Sequence, residues 1–151
     1  MRVTIIGCGD AFGSGGRLQT CYHVEAARTR FLIDCGASAL IGFNRLGLDP
    51  NTVPTIFISH LHGDHYAGLV WWLLHAKHVG KRATPLTIAG PPGVEARLRA
   101  ASEALFPGSF RAVTVSLAGK RCGLSSSMSQ VTSIQRSGSS SKAFSASAWI
   151  G

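Results

Sequence analysis

Three histidines and one aspartate occur within six consecutive residues, a segment that we call the His motif: His60-Leu61-His62-Gly63-Asp64-His65. The motif follows an apolar run, residues 55–58, which the pattern predicts to be a buried strand. Because successive side chains of an extended backbone alternate between faces, His60 and His62 are expected to point to the same side. Two imidazoles on one side of a strand end can bind the same ion, so the spacing predicts a metal site.

The second part of the His motif predicts a second metal position. Gly63 is expected to turn the chain tightly, so that Asp64 and His65 face a point beside the first ion. Imidazoles with a carboxylate suit zinc or other transition metals and fit a hydrolytic metal pair about 3.5–4 Å apart. Such a pair lowers the pKa of a bound water to about 7 and polarises the bond under attack. The alternative is a histidine-rich surface loop, which is the less specific interpretation.

Length and composition indicate one globular domain. The chain has 151 residues, enough for a hydrophobic core. No apolar run reaches the roughly 18–20 residues of a membrane span, and the apolar start is too short for a signal peptide. A cytoplasmic protein with no membrane partner is therefore expected. Four irregularly spaced cysteines do not suit a disulfide framework and are expected to be reduced: Cys8, Cys21, Cys35 and Cys122.

The charge of +8 divides unevenly along the chain. Residues 1–117 contain eleven Lys or Arg and all seven Asp or Glu, a balance of +4, whereas residues 118–151 contain four basic residues and no acid. This last segment also has eleven serines among 34 residues and no apolar periodicity. We expect a disordered or irregular tail, which is either natural or the product of out-of-frame translation or truncation.

A glycine-rich loop, residues 7–16, follows the predicted first strand Arg2 to Ile6. A loop of this kind can bind a dinucleotide, but Phe12 stands where the third glycine should be. The next segment also has the pattern of a strand instead of the required helix. The loop is therefore expected to supply backbone amides and an open floor near a substrate.

The remaining pattern predicts an α/β (α+β layered) domain. Strands are expected at 22–26 and 30–33 as a hairpin, and at 55–58, 86–90 and 110–117. Helices are expected at 38–46, 69–78 and from Pro91 to Leu105. His75 and His78 are expected to be solvated histidines near the end of the second helix, and not ligands. Asp34, at the end of a strand, is either a helix N-cap or a carboxylate that orients a ligating imidazole.

Together with the glycine loop and the strand Phe31-Leu32-Ile33-Asp34-Cys35-Gly36, the His motif resembles the metallo-β-lactamase-fold hydrolases. The resemblance is greatest to the branch of tRNase Z and the arylsulfatase-like phosphodiesterases. It covers residues 1–117 and implies the N-terminal half of an αβ/βα sandwich, followed by the tail of residues 118–151.

The resemblance also implies roles for single residues. His60 and His62 would bind the first metal, and Asp64 and His65 the second, with Asp64 as the candidate catalytic residue. Asp34 would support the site without being a usual ligand. The implied cofactor is a pair of zinc ions, with iron or manganese as alternatives. The implied activity is hydrolysis of a small-molecule ester or phosphodiester, and nucleic acid is a weaker expectation.

One departure from the family is large. The second half of the fold supplies a third histidine, a bridging aspartate and a last histidine, yet no His follows His78 and no Asp or Glu follows Glu103. The chain would then be an inactive fragment, would take ligands from another chain, or would hold one ion with reduced affinity. An uncovered sheet also predicts poor solubility or a homo-oligomer. The alternative function is a non-catalytic half-domain that binds a partner or nucleic acid through its basic tail.

Overall fold

The sheet runs through the chain in sequence order. The computed structural model describes residues 1–112, 115–119 and 132–133, with side chains up to residue 110. In this part of the chain seven strands form one sheet, each paired with the next: β1 Arg2–Gly7, β2 Cys21–Ala26, β3 Thr29–Ile33, β4 Thr55–Phe57, β5 Leu86–Gly90, β6 Val115–Gly119 and β7 Thr132–Ser133. The pairs β1–β2, β2–β3 and β6–β7 are antiparallel, and β3 to β6 are parallel.

Among the described residues, four α-helices accompany the parallel strands: α1 Ala39–Arg45, α2 Gly63–Tyr66, α3 Gly68–His78 and α4 Val94–Leu105. They connect β3 to β4, β4 to β5 and β5 to β6, because parallel neighbours require a crossover that returns the chain to the same end of the sheet. Short 3-10 helices lie at Ser14–Gly16, Pro50–Thr52 and Ser109–Ala112. The layered α/β class expected from the sequence is therefore present.

The helices cover one face of the sheet, where the hydrophobic core lies. Leu32, Ile56 and Ile88, one from each central strand, are fully buried under the helices. Phe43 of α1 and Trp72 of α3 meet edge to face, with ring centroids 4.9 Å apart. Burial of aromatic side chains of this size supplies much of the stabilisation of a small domain, about 1.5–3 kcal/mol for each large apolar side chain.

The opposite face of the sheet, which we call the outer face, is apolar and largely uncovered. Exposure is 53% for Val3, 61% for Ile5, 40% for Ile33 and 44% for Phe57. The strand registers place only uncharged residues on this face from β1 to β5: Val3, Ile5, Tyr22, Val24, Ala26, Thr29, Phe31, Ile33, Thr55, Phe57, Thr87 and Ala89. The uncovered sheet expected from the sequence is thus observed among the described residues, whereas homo-oligomerisation stays a prediction.

The end of the described chain differs from expectation. Residues 109–112 form a 3-10 helix, and the strand predicted for 110–117 begins at Val115. Phe110 is buried, and the Arg99 guanidinium lies 4.2 Å from the centroid of its ring, so this residue packs under α4 instead of entering the sheet. In the predicted tail, residues 118–119 complete β6 and Thr132–Ser133 pair with β6. The rest of the tail lies outside the described residues.

No helix in the described ranges has both the length and the apolar character needed to cross a membrane. The cytoplasmic location stays a prediction.

Candidate metal centre

Adjacent ends of two parallel strands bring the candidate residues together. Ile33 pairs with Phe57, so the residues that follow β3 and β4 emerge side by side at one edge of the sheet. Asp34 comes directly after β3 and has a positive φ of 61°, a conformation in which Asp is one of the less strained residues. Its backbone N–H donates to the Phe57 carbonyl over 2.7 Å, which fixes the turn beside the His motif.

The Asp34 carboxylate is the centre of a hydrogen-bond network. The side chain is buried, and its Oδ1 accepts from the Ser59 backbone N–H at 2.7 Å. Its Oδ2 accepts from the Ser59 hydroxyl at 2.8 Å and from His65 Nδ1 at 2.7 Å. The helix N-cap position is taken by Ser38, four residues later. Of the two interpretations of Asp34, the structure therefore favours contact with an imidazole of the His motif.

This network determines which ring nitrogens carry protons. A carboxylate only accepts hydrogen bonds, so both the Ser59 hydroxyl and His65 Nδ1 must donate to Asp34. The Ser59 oxygen lies 3.0 Å from His60 Nδ1, and because its own proton is committed to Asp34 it accepts from that nitrogen. His60 and His65 are thus both protonated at Nδ1. Their Nε2 atoms are left as the metal-binding nitrogens.

The four predicted ligands lie in one small cluster. The ring centroid of His60 is 4.9 Å from that of His62 and 3.9 Å from that of His65. His65 Nε2 is 3.3 Å from Asp64 Oδ2. Two ligands of a tetrahedral zinc ion, each about 2.0–2.2 Å from the metal, stand about 3.4 Å apart. The separation of these two atoms therefore fits a shared ion.

The cluster does not amount to a closed metal site. Within the ranges that the structure describes, no three His, Cys, Asp or Glu side chains are arranged so that they could hold one ion. The donor types and the available Nε2 atoms of His60 and His65 fit zinc, but the arrangement is incomplete. The assignment of His60, His62, Asp64 and His65 as ligands accordingly stays a prediction.

The backbone of the His motif differs from expectation at Gly63. This residue begins α2 and does not have a positive φ, and a Cβ atom there would have its nearest neighbour at 4.0 Å. The chain turns because the N–H groups of His65 and Tyr66 both donate to the His62 carbonyl, which starts a helix. The close approach occurs instead at Gly68, where a Cβ would lie 2.0 Å from the Gly36 oxygen.

Two residues that position the His motif were not predicted from the sequence. Ser59 connects Asp34 to His60, and its place directly before the first histidine was the available signal. Arg97 of α4 donates from Nη1 to the Leu61 carbonyl at 2.8 Å. No sequence signal indicated this contact, because the two residues are 36 positions apart and only the fold brings them together.

An open cleft of about 580 Å³ lies beside the cluster and is bordered by His62, Asp64 and part of the glycine loop. Its lining is Asp10, Ala11, Phe12, Gln19, Ala37, His62, Gly63, Asp64 and Ala67. The loop continues through a three-residue 3-10 helix into β2, so the helix that a dinucleotide site requires is not there. As expected from the sequence, the loop borders an open space next to the candidate ligands.

Histidines and cysteines outside the motif have other environments. His78 is exposed as expected, but His75 is half-buried and its Nδ1 has no partner, because α3 packs against the core along most of its length. His23 of β2 is buried against Phe43 with neither ring nitrogen hydrogen-bonded, and burial lowers its pKa. Burial also raises the pKa of the Cys21 thiol to about 12, which makes it unreactive.

The prediction that the cysteines are reduced thiols, without disulfide bonds, can be compared with the structure for three of the four. Cys8, Cys21 and Cys35 are free, whereas Cys122 lies outside the described residues.

The family profile described as "Anti-Pycsar protein Apyc1" matches residues 1–100, which include the whole His motif and its supporting strands. The chain belongs to this family. A ribonuclease Z of Halorubrum lacusprofundi is 38% identical over 95 residues, which are 63% of this chain and 30% of that relative. The chain therefore spans less than a third of the length of this relative.

Solved structures show the same fold. Human tRNase Z, short form, superposes with a TM-score of 0.63 at 26% identity, over 79% of this chain and 44% of that one. The long form RNase Z from yeast gives a TM-score of 0.59 at 18% identity, over 76% of this chain and 17% of that one, and supports the fold alone. The metallo-β-lactamase fold and the resemblance to tRNase Z expected from the sequence are confirmed.

Proposed function

We propose that this chain carries the N-terminal part of the active site of a metal-dependent hydrolase that cleaves phosphodiester bonds in nucleic acid. The observation that carries the proposal is the Asp34 network. One buried carboxylate orients His65 directly and His60 through Ser59 and engages the Nδ1 side of both rings, so that Nε2 is the nitrogen that each ring presents to a metal. In a histidine-rich surface loop that binds no metal, we would not expect one buried carboxylate to orient two imidazole rings.

Nucleic acid is proposed as the substrate on two grounds. Relatives that are 37–38% identical over 94–95 residues are named ribonuclease Z, and the human neighbour is a tRNase Z. The net charge of +8 attracts a polyanion, because phosphate binding is dominated by the release of counterions from the nucleic acid. A small-molecule ester, the other expectation from the sequence, has less support.

Each residue has a proposed task. Zinc bound by His60, His62, Asp64 and His65 would act as a Lewis acid and lower the pKa of a bound water, as would iron or manganese. Asp34 and Ser59 hold the imidazoles in the ligating tautomer. His62 and Asp64 border the cleft, where a phosphodiester can approach.

The proposed site requires further ligands, which would come from another segment or from another chain. The alternative of a binding module that acts through the basic tail rests on residues 118–151, most of which lie outside the described residues. No observation among the described residues favours that alternative.

The test uses the full chain and its variants Asp64→Asn and His62→Ala, with His78→Ala as the control. His78 is an exposed histidine at the end of α3, outside the cluster. Zinc binding is measured by calorimetry, and hydrolysis is measured on a short labelled RNA and on bis(p-nitrophenyl) phosphate. The motif variants are expected to lose zinc affinity by about 10-fold or more, while the control binds like the unaltered chain.

The two measurements separate site from activity. Zinc binding that depends on the motif supports the metal centre, and RNA cleavage that depends on the same residues supports the full proposal. If neither motif variant changes zinc affinity relative to His78→Ala, the metal centre is wrong. If zinc binds at the motif but neither substrate is cleaved, the chain alone is not a hydrolase.

A further inference from the structure

We propose that Phe12 is the surface on which the cleft stacks a nucleobase of its substrate, an assignment that rests on the proposed function. Phe12 is 92% exposed and lies in the wall of the cleft that also contains His62 and Asp64. An aromatic ring with so much apolar surface in water costs free energy that contact with a flat ligand would recover.

The loop that carries Phe12 is fixed by hydrogen bonds. Asp10 Oδ1 accepts from the backbone N–H groups of Phe12 at 3.1 Å and Ser14 at 3.0 Å, and Asp10 Oδ2 accepts from the Ser14 hydroxyl at 2.7 Å. Further along, the Gly16 N–H donates to the Gly13 carbonyl at 2.9 Å. These bonds hold the Phe12 backbone in one conformation, so little ordering is required when a ligand binds.

The shape of the cleft suits a flat group on a phosphate. The lining also includes small side chains, Ala37 and Ala67, which leave room for a planar base. His62 and Asp64 also line the cleft, and they are proposed to bind the metal that contacts the phosphate. The volume of about 580 Å³ lies within the range of about 300–1,000 Å³ that is usual for small-ligand sites.

Stacking on Phe12 is tested with two ligands that differ only in the base, uridine 5′-monophosphate and ribose 5-phosphate. Their dissociation constants are measured on the full chain with zinc present. The variants are Phe12→Ala, Phe12→Trp and the control Val79→Ala, since Val79 is an apolar residue that is 71% exposed at the end of α3.

Phe12→Ala is expected to weaken uridine monophosphate binding by about 10-fold or more, a usual effect for the loss of one stacked base, and to leave ribose 5-phosphate unaffected. Phe12→Trp should retain binding, and Val79→Ala should change neither ligand. A ring-current shift of the base protons should be seen with the unaltered chain and disappear in Phe12→Ala.

Three results would overturn the assignment: no detectable binding of uridine monophosphate, equal affinity for the two ligands, or an equal loss for both in Phe12→Ala. These outcomes are distinct from failure of the proposed function. Base-dependent binding without RNA cleavage would contradict the hydrolase alone, and cleavage without base-dependent binding would contradict the role of Phe12 alone.

Discussion

Replacing Asp34 by Asn should reverse the proton positions on two histidines at once. Asn keeps the shape of the side chain and tolerates the positive φ of 61° at this position. Its carbonyl oxygen can still accept from the Ser59 N–H, but its NH2 group then occupies the place of Oδ2, where it donates. His65 Nδ1 must now accept, which moves the ring proton to Nε2. The Ser59 hydroxyl accepts from Asn and donates to His60 Nδ1, so His60 changes in the same way.

The size of the effect follows from the bonds that are changed. Loss of one partner that orients a ligand usually lowers metal affinity about 10–100-fold, and because one substitution alters two ligands we expect the upper end, about 100-fold or about 2.7 kcal/mol. The free energy of unfolding should fall by only about 1–3 kcal/mol. Every hydrogen bond of the network is still made in the variant, but none of them any longer has a charged acceptor. Metal binding should therefore be affected in a chain that still folds.

The assay has two readouts. Side-chain nitrogen NMR distinguishes Nδ1-protonated from Nε2-protonated histidine, and competition with a chelator gives the zinc affinity. Asp49→Asn is the matched control, because Asp49 is an exposed carboxylate that only accepts from the Asn51 N–H at the start of a 3-10 helix. If Asp34→Asn binds zinc within a factor of two of this control, or if His60 and His65 keep their protons on Nδ1, the reasoning is refuted.

Two further predictions concern stability and assembly. Burial lowers the His23 pKa below its usual 6.5, so the unfolded chain binds a proton more readily than the folded one, and the free energy of unfolding should fall as the pH drops below about 6.5. Urea unfolding at pH 7.5 and 5.5 should show a smaller pH dependence for His23→Phe, and an equal dependence would contradict the assignment. The outer face should drive self-association, so Val3→Lys with Ile5→Lys should shift the chain towards monomer on a sizing column, whereas a sharp monomer peak for the unaltered chain would contradict this.

The sequence predicted the elements near the site well because local pattern and tertiary structure agree there. The hairpin of β2 and β3 consists of two short strands around a turn, and the strand before the His motif and helix α3 are apolar runs that the core buries. For Asp34 the sequence left two interpretations open, and the parallel pairing of β3 with β4 in the structure brings its carboxylate to the motif.

Contacts between distant segments could not be predicted in the same way. The Arg97 bond to Leu61 depends on how α4 lies over the motif, and the buried His23 occupies a position in β2 where a polar residue gave no sign of burial. The error at Gly63 came from attributing a turn to glycine flexibility, whereas backbone hydrogen bonds to the His62 carbonyl form a helix. At Phe110, an apolar residue suggested a strand but packs beneath a helix.

In the sheet, each strand lies next to the strand that precedes it in the sequence. This order has a consequence for folding during synthesis on the ribosome. Each strand finds its partner among residues already made, so the sheet can grow from β1 outward as the chain emerges, without waiting for a distant segment. The Asp34 network is completed once residue 65 has left the exit tunnel. A sequence change late in the chain would therefore leave the histidine orientation established earlier intact.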